Sequence, residues 1–462
     1  MLFALIISQS GAFAYGMASG DPTQHSAIIW TRVEPTFARP VDVYYEVATD
    51  RKFHHIVAKG KFHTGKWRDH TVKVKVEGLK PNTTYYYHFW YTDNYFGEVT
   101  TYHSDTGRFK TLPEDTGRFR IALLTGQHFA AGYYIAYRYI LQDSVDLIIH
   151  TGDFIYEFPA YHVDVARPDP TGYAYDLNTY RAKYRVGRTD RYIQEALKNI
   201  PIMTIWDDHE VMNDYSGKSL KYYNPQRLYG AYQAYFEYLP ITENPDEKYR
   251  IYRDFKIGKL LHIFLIDGRQ YREEDPCRPA FHPSDECVKV ALNEYRTYLG
   301  LKQRDWLIEG VENTDSRWKL VVNNTMMMDF FEDGKPIFVD QWDGFYKEKQ
   351  YILRHWLRHG VKNIVIGSGD THTFYFGDVM VDGKKVATEV VTTSVTSPGG
   401  HKALKNRNED PWIKDMENRY RGYVILDFFK DHLDIYLYGI ENVRAPDSRR
   451  ILLRKIRIDY EK

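Results

Sequence analysis

Cysteine is almost missing from this chain: 462 residues contain two, Cys277 and Cys287. That excludes a disulfide-dense scaffold, and with no histidine at finger spacing beside either thiol it excludes a structural zinc module. Net charge is missing as well, because 62 Lys and Arg balance 62 Asp and Glu. No overall field is available to attract nucleic acid or an anionic membrane. Beyond the N-terminal residues, no stretch comes near the roughly 18–20 continuous apolar residues of a membrane span. Internal repeats and low-complexity tracts are absent, which removes solenoids and long disordered linkers. The loops behind the strand-like segments hold neither a G-x-S-x-G elbow nor a P-loop, so no serine nucleophile or Walker-type phosphate cradle is indicated.

What is present begins with size and aromatic content. A chain of this length, with 40 tyrosines, has room for a large core and for more than one domain. Residues 15–112 read as all-β, with strand-like runs at Ser26 to Val33, Val41 to Val47, Thr71 to Val76 and Thr84 to Trp90. Leu79-Lys80-Pro81-Asn82-Thr83-Thr84-Tyr85 has the form of a tyrosine corner and resembles fibronectin type III sandwiches. Leu112 to Gly117 is the candidate linker. From 118 to 462, apolar strands alternate with helical stretches at Tyr134 to Gln142, Gln226 to Tyr238, Val288 to Glu309 and Phe345 to His359. That alternation predicts an α/β fold. Glu157 to Tyr180 lacks periodicity and reads as a long loop, either a lid or substrate wall or surface padding.

Residues 1–14 combine a short apolar run, Leu2 to Ile7, with the triplet Ala12-Phe13-Ala14. This has the form of the back end of a secretory signal, although no basic residue precedes the run. An ordinary first strand is the competing reading. Cys277 and Cys287 share one polar, Pro-rich segment, which fits a disulfide closing a short loop and agrees with export. Two separate free thiols are the alternative.

Three strand-like segments end in loops that carry aspartate: Gly152-Asp153-Phe154-Ile155-Tyr156, Trp206-Asp207-Asp208-His209-Glu210 and Gly369-Asp370-Thr371-His372. Carboxyl ends of strands are where open α/β sheets place their sites, and adjacent carboxylates there are costly unless a cation or a reaction uses them. The pattern predicts a two-metal centre. Asp153 is the natural bridge, Tyr156 a phenolate ligand for a hard ion, and His372 a ligand for the same ion. Asp208 and Asp370 serve the second ion, and His209 lies beside the phosphate as acid, base or donor. Each residue alone has a duller reading. Asp153 could be a turn residue or helix cap, Tyr156 or His372 could be core, and Asp207 and Asp208 could cap a helix. Three clusters in one context favour a site.

The same residues carry a family likeness along nearly the whole chain. Gly16-Met17-Ala18-Ser19-Gly20-Asp21-Pro22, Trp30-Thr31-Arg32, His150 to Glu157 and Trp206 to Val211 with Asn213 are followed by Asp267 to Arg272, Asp340 to Gly344, Gly369 to His372 and Thr393 to Gly399. In this order they resemble the alkaline phosphatase D family of PhoD-like metallophosphatases. The resemblance implies an N-terminal β-sandwich followed by a metallophosphoesterase α/β/β/α sandwich, an iron ion with calcium, and activity on phosphate mono- or diesters, often outside the cytoplasm. It places Asp153 between the metals, Tyr156 and His372 on the iron, and Asp208 and Asp370 on the calcium side. Asn213 and the pair Asn323-Asn324 add side-chain oxygens, while His209 and Arg269 contact the phosphoryl group. The implied partner is a small phosphate ester or a phospholipid head group, since some relatives act as phospholipases of the D type.

One position departs from the family. Where the relatives have Ser-Cys-Gln, with the Cys an iron ligand, this chain has Thr125-Gly126-Gln127-His128. Gly126 supplies no thiolate. The expectation is that His128 partly restores the position with an imidazole, making zinc, manganese or ferrous iron more competitive; a His128 that only lines the cleft is the equal alternative. The leading function is therefore an extracytoplasmic phosphohydrolase using metal-activated water for in-line attack. A catalytically weakened phosphate-ester-binding protein competes with it, and a structural adhesion protein explains none of the strand-end clusters.

Overall fold

The computed structural model describes residues 9–159, 165–399 and 410–462. Its N-terminal part is a sandwich of two sheets. One contains Val41–Ala48, Ile56–Thr64, Thr84–Tyr95, Glu98–His103 and Gly107–Lys110, and the other Met17–Gly20, Ser26–Arg32 and Thr71–Glu77. Alternating β-branched and aromatic residues fill the space between them, including Ile29, Val43, Val47, Val72, Phe89 and Tyr91. The tyrosine corner is formed: the Lys80 amide donates to Tyr85 Oη at 2.8 Å. Ala12 and Phe13, expected in a cleavage site, are buried in this same core, and the Glu34 amide donates to the Ala12 carbonyl at 3.1 Å. The apolar run Leu2 to Ile7 lies outside the described residues.

The expected units on either side of residue 112 share a sheet. Gly20 pairs in parallel with Ile202, so the three N-terminal strands extend a nine-stranded sheet. Its centre is parallel, built from Arg118–Leu124, Leu147–His150 and Ile202–Thr204, and its far edge is the antiparallel set Arg421–Phe429, His432–Ile440 and Arg450–Asp459. A seven-stranded sheet lies against it, with Leu261–Leu265, Trp318–Val322, Ile364–Ser368 and Lys384–Val391 parallel at its centre. Ile121, Leu123 and Ile149 of the first sheet and Leu320, Val322 and Val365 of the second belong to one continuous apolar core. Helices Leu301–Asn313 and Tyr346–Arg358 cover the second sheet through Leu307, Val311, Ile352 and Trp356. Helices Ile135–Ile140, Leu177–Gly187, Arg191–Asn199 and Pro225–Tyr238 pack on the first. The layers are α/β/β/α, as the family likeness implies.

Two local expectations change. Val288 to Glu309 is two helices, Asp285–Asn293 and Leu301–Asn313. Between them the amides of Tyr298 and Leu299 donate to the buried Glu348 carboxylate, and the Tyr298 ring packs 4.3 Å from Trp342. These tertiary partners take amides that a continuous helix would have used. In the long aperiodic segment, helix Leu177–Gly187 begins at a capping box of Asp176 and Thr179, while residues 160–164 lie outside the described set. Cys277 and Cys287 are disulfide-bonded.

Candidate metal centre

The parallel strands of both sheets end at one side of the sandwich, and the acid-bearing loops meet there. A bridge between Thr125 and Ser394 joins the sheets at this end. Two glycines permit the close approach. A Cβ on Gly152 would lie 2.4 Å from Asp207 Cβ, and its φ of +120° disfavours side chains in any case. A Cβ on Gly126, at φ +58°, would lie 3.0 Å from the His372 ring, so this position faces the cluster and contributes no ligand atom. Glu210 then ties two loops together, its carboxylate accepting the amides of Asp153 (3.0 Å), Phe154 (2.6 Å) and Asp207 (2.9 Å).

One corner holds Asp153, Tyr156 and His372. The Tyr156 hydroxyl donates to Asp153 Oδ2 at 2.8 Å and sits 2.9 Å from His372 Nε2. His372 Nδ1 lies 2.9 Å from the Pro398 carbonyl, which can only accept, so Nδ1 carries the proton and Nε2 turns a lone pair to the cluster. Ser397 Oγ donates to the phenol oxygen at 2.7 Å. Burial alone would raise the Asp153 pKa, but His209, His372 and the Tyr156 hydroxyl hold it well below the usual carboxylate range. Its Oδ1 is buried and has no hydrogen-bond partner.

The other corner is all carboxylate. Ligand atoms of Asp207, Asp208 and Asp370 lie within 4.8 Å of one another, and so do those of Asp153, Asp208 and His209, with Asp208 common to both sets. Asp207 Oδ1 accepts from Arg269 Nε and from Asn324 Nδ2 (2.8 Å), while its Oδ2 is buried and unpartnered. Asp208 accepts the amides of His209 (2.9 Å) and Asp214 (2.8 Å), and Gln341 Nε2 donates to Asp370 at 2.7 Å. Burial pushes Asp207 up to about 7 despite Arg269, with Asp208 and Asp153 adding repulsion. Burial and the charges of Asp207 and Asp208 drive Asp370 well above its ordinary value. Carboxylates packed this way are stable as anions only with multivalent cations beside them. The donor set and the orphaned oxygens fit metal ions.

The structure brings together six of the residues expected at the site: Asp153, Tyr156, Asp208, His209, Asp370 and His372. His209 Nδ1 is held by Glu157 Oε2 at 2.8 Å, leaving Nε2 as the free ring nitrogen. Burial would lower its pKa, but Asp208, Glu157 and Asp153 around it raise it well above the usual imidazole value. Asn213 lines the mouth of the cleft, with its amide donating to Glu157 at 3.0 Å.

Two expected residues stand elsewhere. Arg269 is fully buried behind Asp207 and pairs with Asp207 and Asp340, so it orients a carboxylate and does not line the cleft. His128 packs on the Tyr156 ring at 4.7 Å and on Phe158 at 5.5 Å, and it lines a separate small cavity with Asp169 and Lys183. Both of its nitrogens lack hydrogen-bond partners, and burial lowers its pKa to about 4. Asn323 Nδ2 donates to the Thr325 carbonyl, and its Oδ1, the atom expected to serve a metal, is buried without a hydrogen-bond partner. Asp207 and Glu157 had no metal or catalytic role in the expectation, although both lie inside the quoted motifs; the doubled acid beside Asp208 was the available signal for the first.

An α/β/β/α sandwich with a buried acidic cluster at the carboxyl ends of both sheets is the architecture of a metallophosphoesterase. The model of the PhoD-like phosphatase family matches residues 121–437, and that of the PhoD-like phosphatase N-terminal domain matches 7–113. Alkaline phosphatase D of Bacillus subtilis (strain 168) is 32% identical over 456 residues, covering 89% of this chain and 75% of that protein. A solved structure of PhoD superposes with a TM-score of 0.87 at 28% identity, covering 97% of this chain and 91% of that one. The chain belongs to the PhoD-like phosphatase family and is a phosphoesterase.

Proposed function

We propose that this chain hydrolyses phosphate mono- or diesters at a two-metal cleft, with His209 handling the proton of the reaction. The observation that carries the reading is the pair of donor sets sharing Asp208, with buried, unpartnered oxygens on Asp153 and Asp207. Bound ions supply counter-charge for the phosphoryl oxygens and an activated water near neutral pH. Asp153, Tyr156 and His372 offer the mixed phenol, imidazole and carboxylate set suited to iron, and Asp207, Asp208 and Asp370 the all-oxygen set suited to calcium. Because Gly126 brings no thiolate, zinc and manganese compete for the first set. Glu157 holds His209 Nδ1, so Nε2 is placed to donate to the departing oxygen. Arg269 fixes Asp207, and Glu210 fixes the backbone of Asp153. The Cys277–Cys287 disulfide supports a location outside the cytoplasm.

The test is turnover of chromogenic mono- and diesters by metal-stripped protein, with iron, manganese, zinc and calcium restored singly and in pairs beside an Asp153→Ala control. Metal-dependent turnover absent from the control is expected. Folded, metal-binding protein with no turnover under any pair would leave the phosphate-ester-binding reading in its place.

A further inference from the structure

One wall of the cleft is unlike the rest. The cleft, of about 210 Å³, is floored by Asp153, Asp208, Asp370 and both histidines, yet Ala280, Phe281 and Phe338 form its rim. Phe281 is 37% exposed, an unusual state for a phenyl ring beside so many carboxylates. The ring is not a stray surface residue. Phe281 and Phe338 face each other across an isolated antiparallel bridge, in which the His282 amide donates to the Ile337 carbonyl and the Val339 amide to the Ala280 carbonyl, each at 2.9 Å. Their rings are 4.8 Å apart, and Phe338 stacks in turn on the buried Phe330 at 6.0 Å. An aromatic ladder thus runs from the core to the rim of the cleft.

This rim is held rigidly and close to the acidic floor. The Cys277–Cys287 disulfide closes the segment that carries Phe281, and Cys287 packs with Ala280 and Val339. Lys335 Nζ ties the neighbouring hairpin to Asp285 at 2.6 Å, and Arg278 donates to the Asp214 carbonyl at 2.7 Å. Two residues beyond Phe338, Asp340 is clamped by Arg269 and Arg272, and the next residue, Gln341, donates to Asp370. The apolar surface and the acidic floor are therefore joined through one short run of chain.

We infer that Phe281 and Phe338 form a subsite for the organic group of the phosphate ester, selecting esters with an apolar or aromatic substituent. This rests on the reading of the cleft as a phosphate-ester site. A ring laid against the Phe281–Phe338 pair gains the aromatic contact that a bare phosphoryl group lacks.

Phenylphosphonate and methylphosphonate separate the two parts, because they share a head group, resist hydrolysis at the C–P bond and differ in the apolar arm. Calorimetric titration of the metal-loaded protein is expected to show the phenyl compound binding about three- to tenfold tighter. Phe281→Ala and Phe338→Ala should each remove most of that preference, and Phe281→Leu, which keeps apolar bulk, should retain part of it. Equal affinities in the unaltered protein, a preference that survives both alanine variants, or failure of both probes to bind overturns the inference. Absence of ester turnover with the preference intact would sink only the hydrolase reading, and turnover without the preference only the subsite.

Discussion

The two corners of the cleft floor solve the same electrostatic problem differently. At Asp153 the carboxylate is compensated from within the protein: a phenol donates to it and two histidines lie beside it, so its pKa falls. At Asp207, Asp208 and Asp370 three acids share one buried arginine that itself also serves Asp340, and the pKa values of all three rise. The first corner is close to balanced as built. The second holds excess negative charge in a poorly solvated place and depends on an added cation. Burial is similar at both, so what separates them is the identity of the neighbours.

The most damaging way to break this contrast is Asp153→Ala, because Asp153 is a member of both the phenol–imidazole corner and the set with Asp208. Turnover should fall on the order of a thousandfold or more, with loss of bound metal measured by elemental analysis. Single changes should then separate the corners. Tyr156→Phe is expected to weaken the ion at its own corner by about 10–100-fold and spare calcium, and Asp370→Asn to do the reverse. Competitive metal titration checks both; identical losses in the two variants would mean that the corners are one site.

A smaller effect concerns stability without metal. Asp207 and Asp370 have folded-state pKa values raised above those of the unfolded chain, so the folded form binds more protons above about pH 4, in a window that reaches about pH 7 at Asp207. Stability of metal-free protein should therefore be full below that window and fall as pH rises through it. Thermal melts across pH 5 to 8 should show the decline, on the order of 1 kcal/mol per pH unit for each group inside its window, and Asp370→Asn should flatten it. The smallest effect is expected from His128→Ala. His128 lies on the far side of the Tyr156 ring, so metal content and identity should not change and activity should shift by only a few-fold. A changed metal complement in that variant would place its imidazole at the first corner after all.

The arginine and the histidine that moved show what sequence spacing conveys. Arg269 sits in a strand-end loop like the ligands, and nothing in Asp267-Gly268-Arg269 tells whether the guanidinium points into solvent or behind Asp207. His128 lies two residues beyond Gly126, the right distance for a ligand, but the backbone after the positive φ of Gly126 carries its ring past Tyr156. Spacing fixes which residues are near one another along a loop. The side of the loop on which each one projects depends on dihedrals and packing partners contributed by distant segments.

The α/β alternation, the tyrosine corner and the six cluster residues were legible in the chain, because hydrophobic period, turn chemistry and strand-end motifs are local signals. The α/β/β/α layering came from the family likeness, and a disulfide was one of two open readings of the cysteine pair. The fold alone sets where the N-terminal strands join the catalytic sheet, at Gly20 and Ile202, that Asp207 belongs with Asp208 and Asp370, and that Phe281 meets Phe338 on the rim. These contacts bring together residues up to about 180 positions apart (Gly20 with Ile202), and no local pattern encodes a pairing whose energy is realised only once two sheets close on a common core.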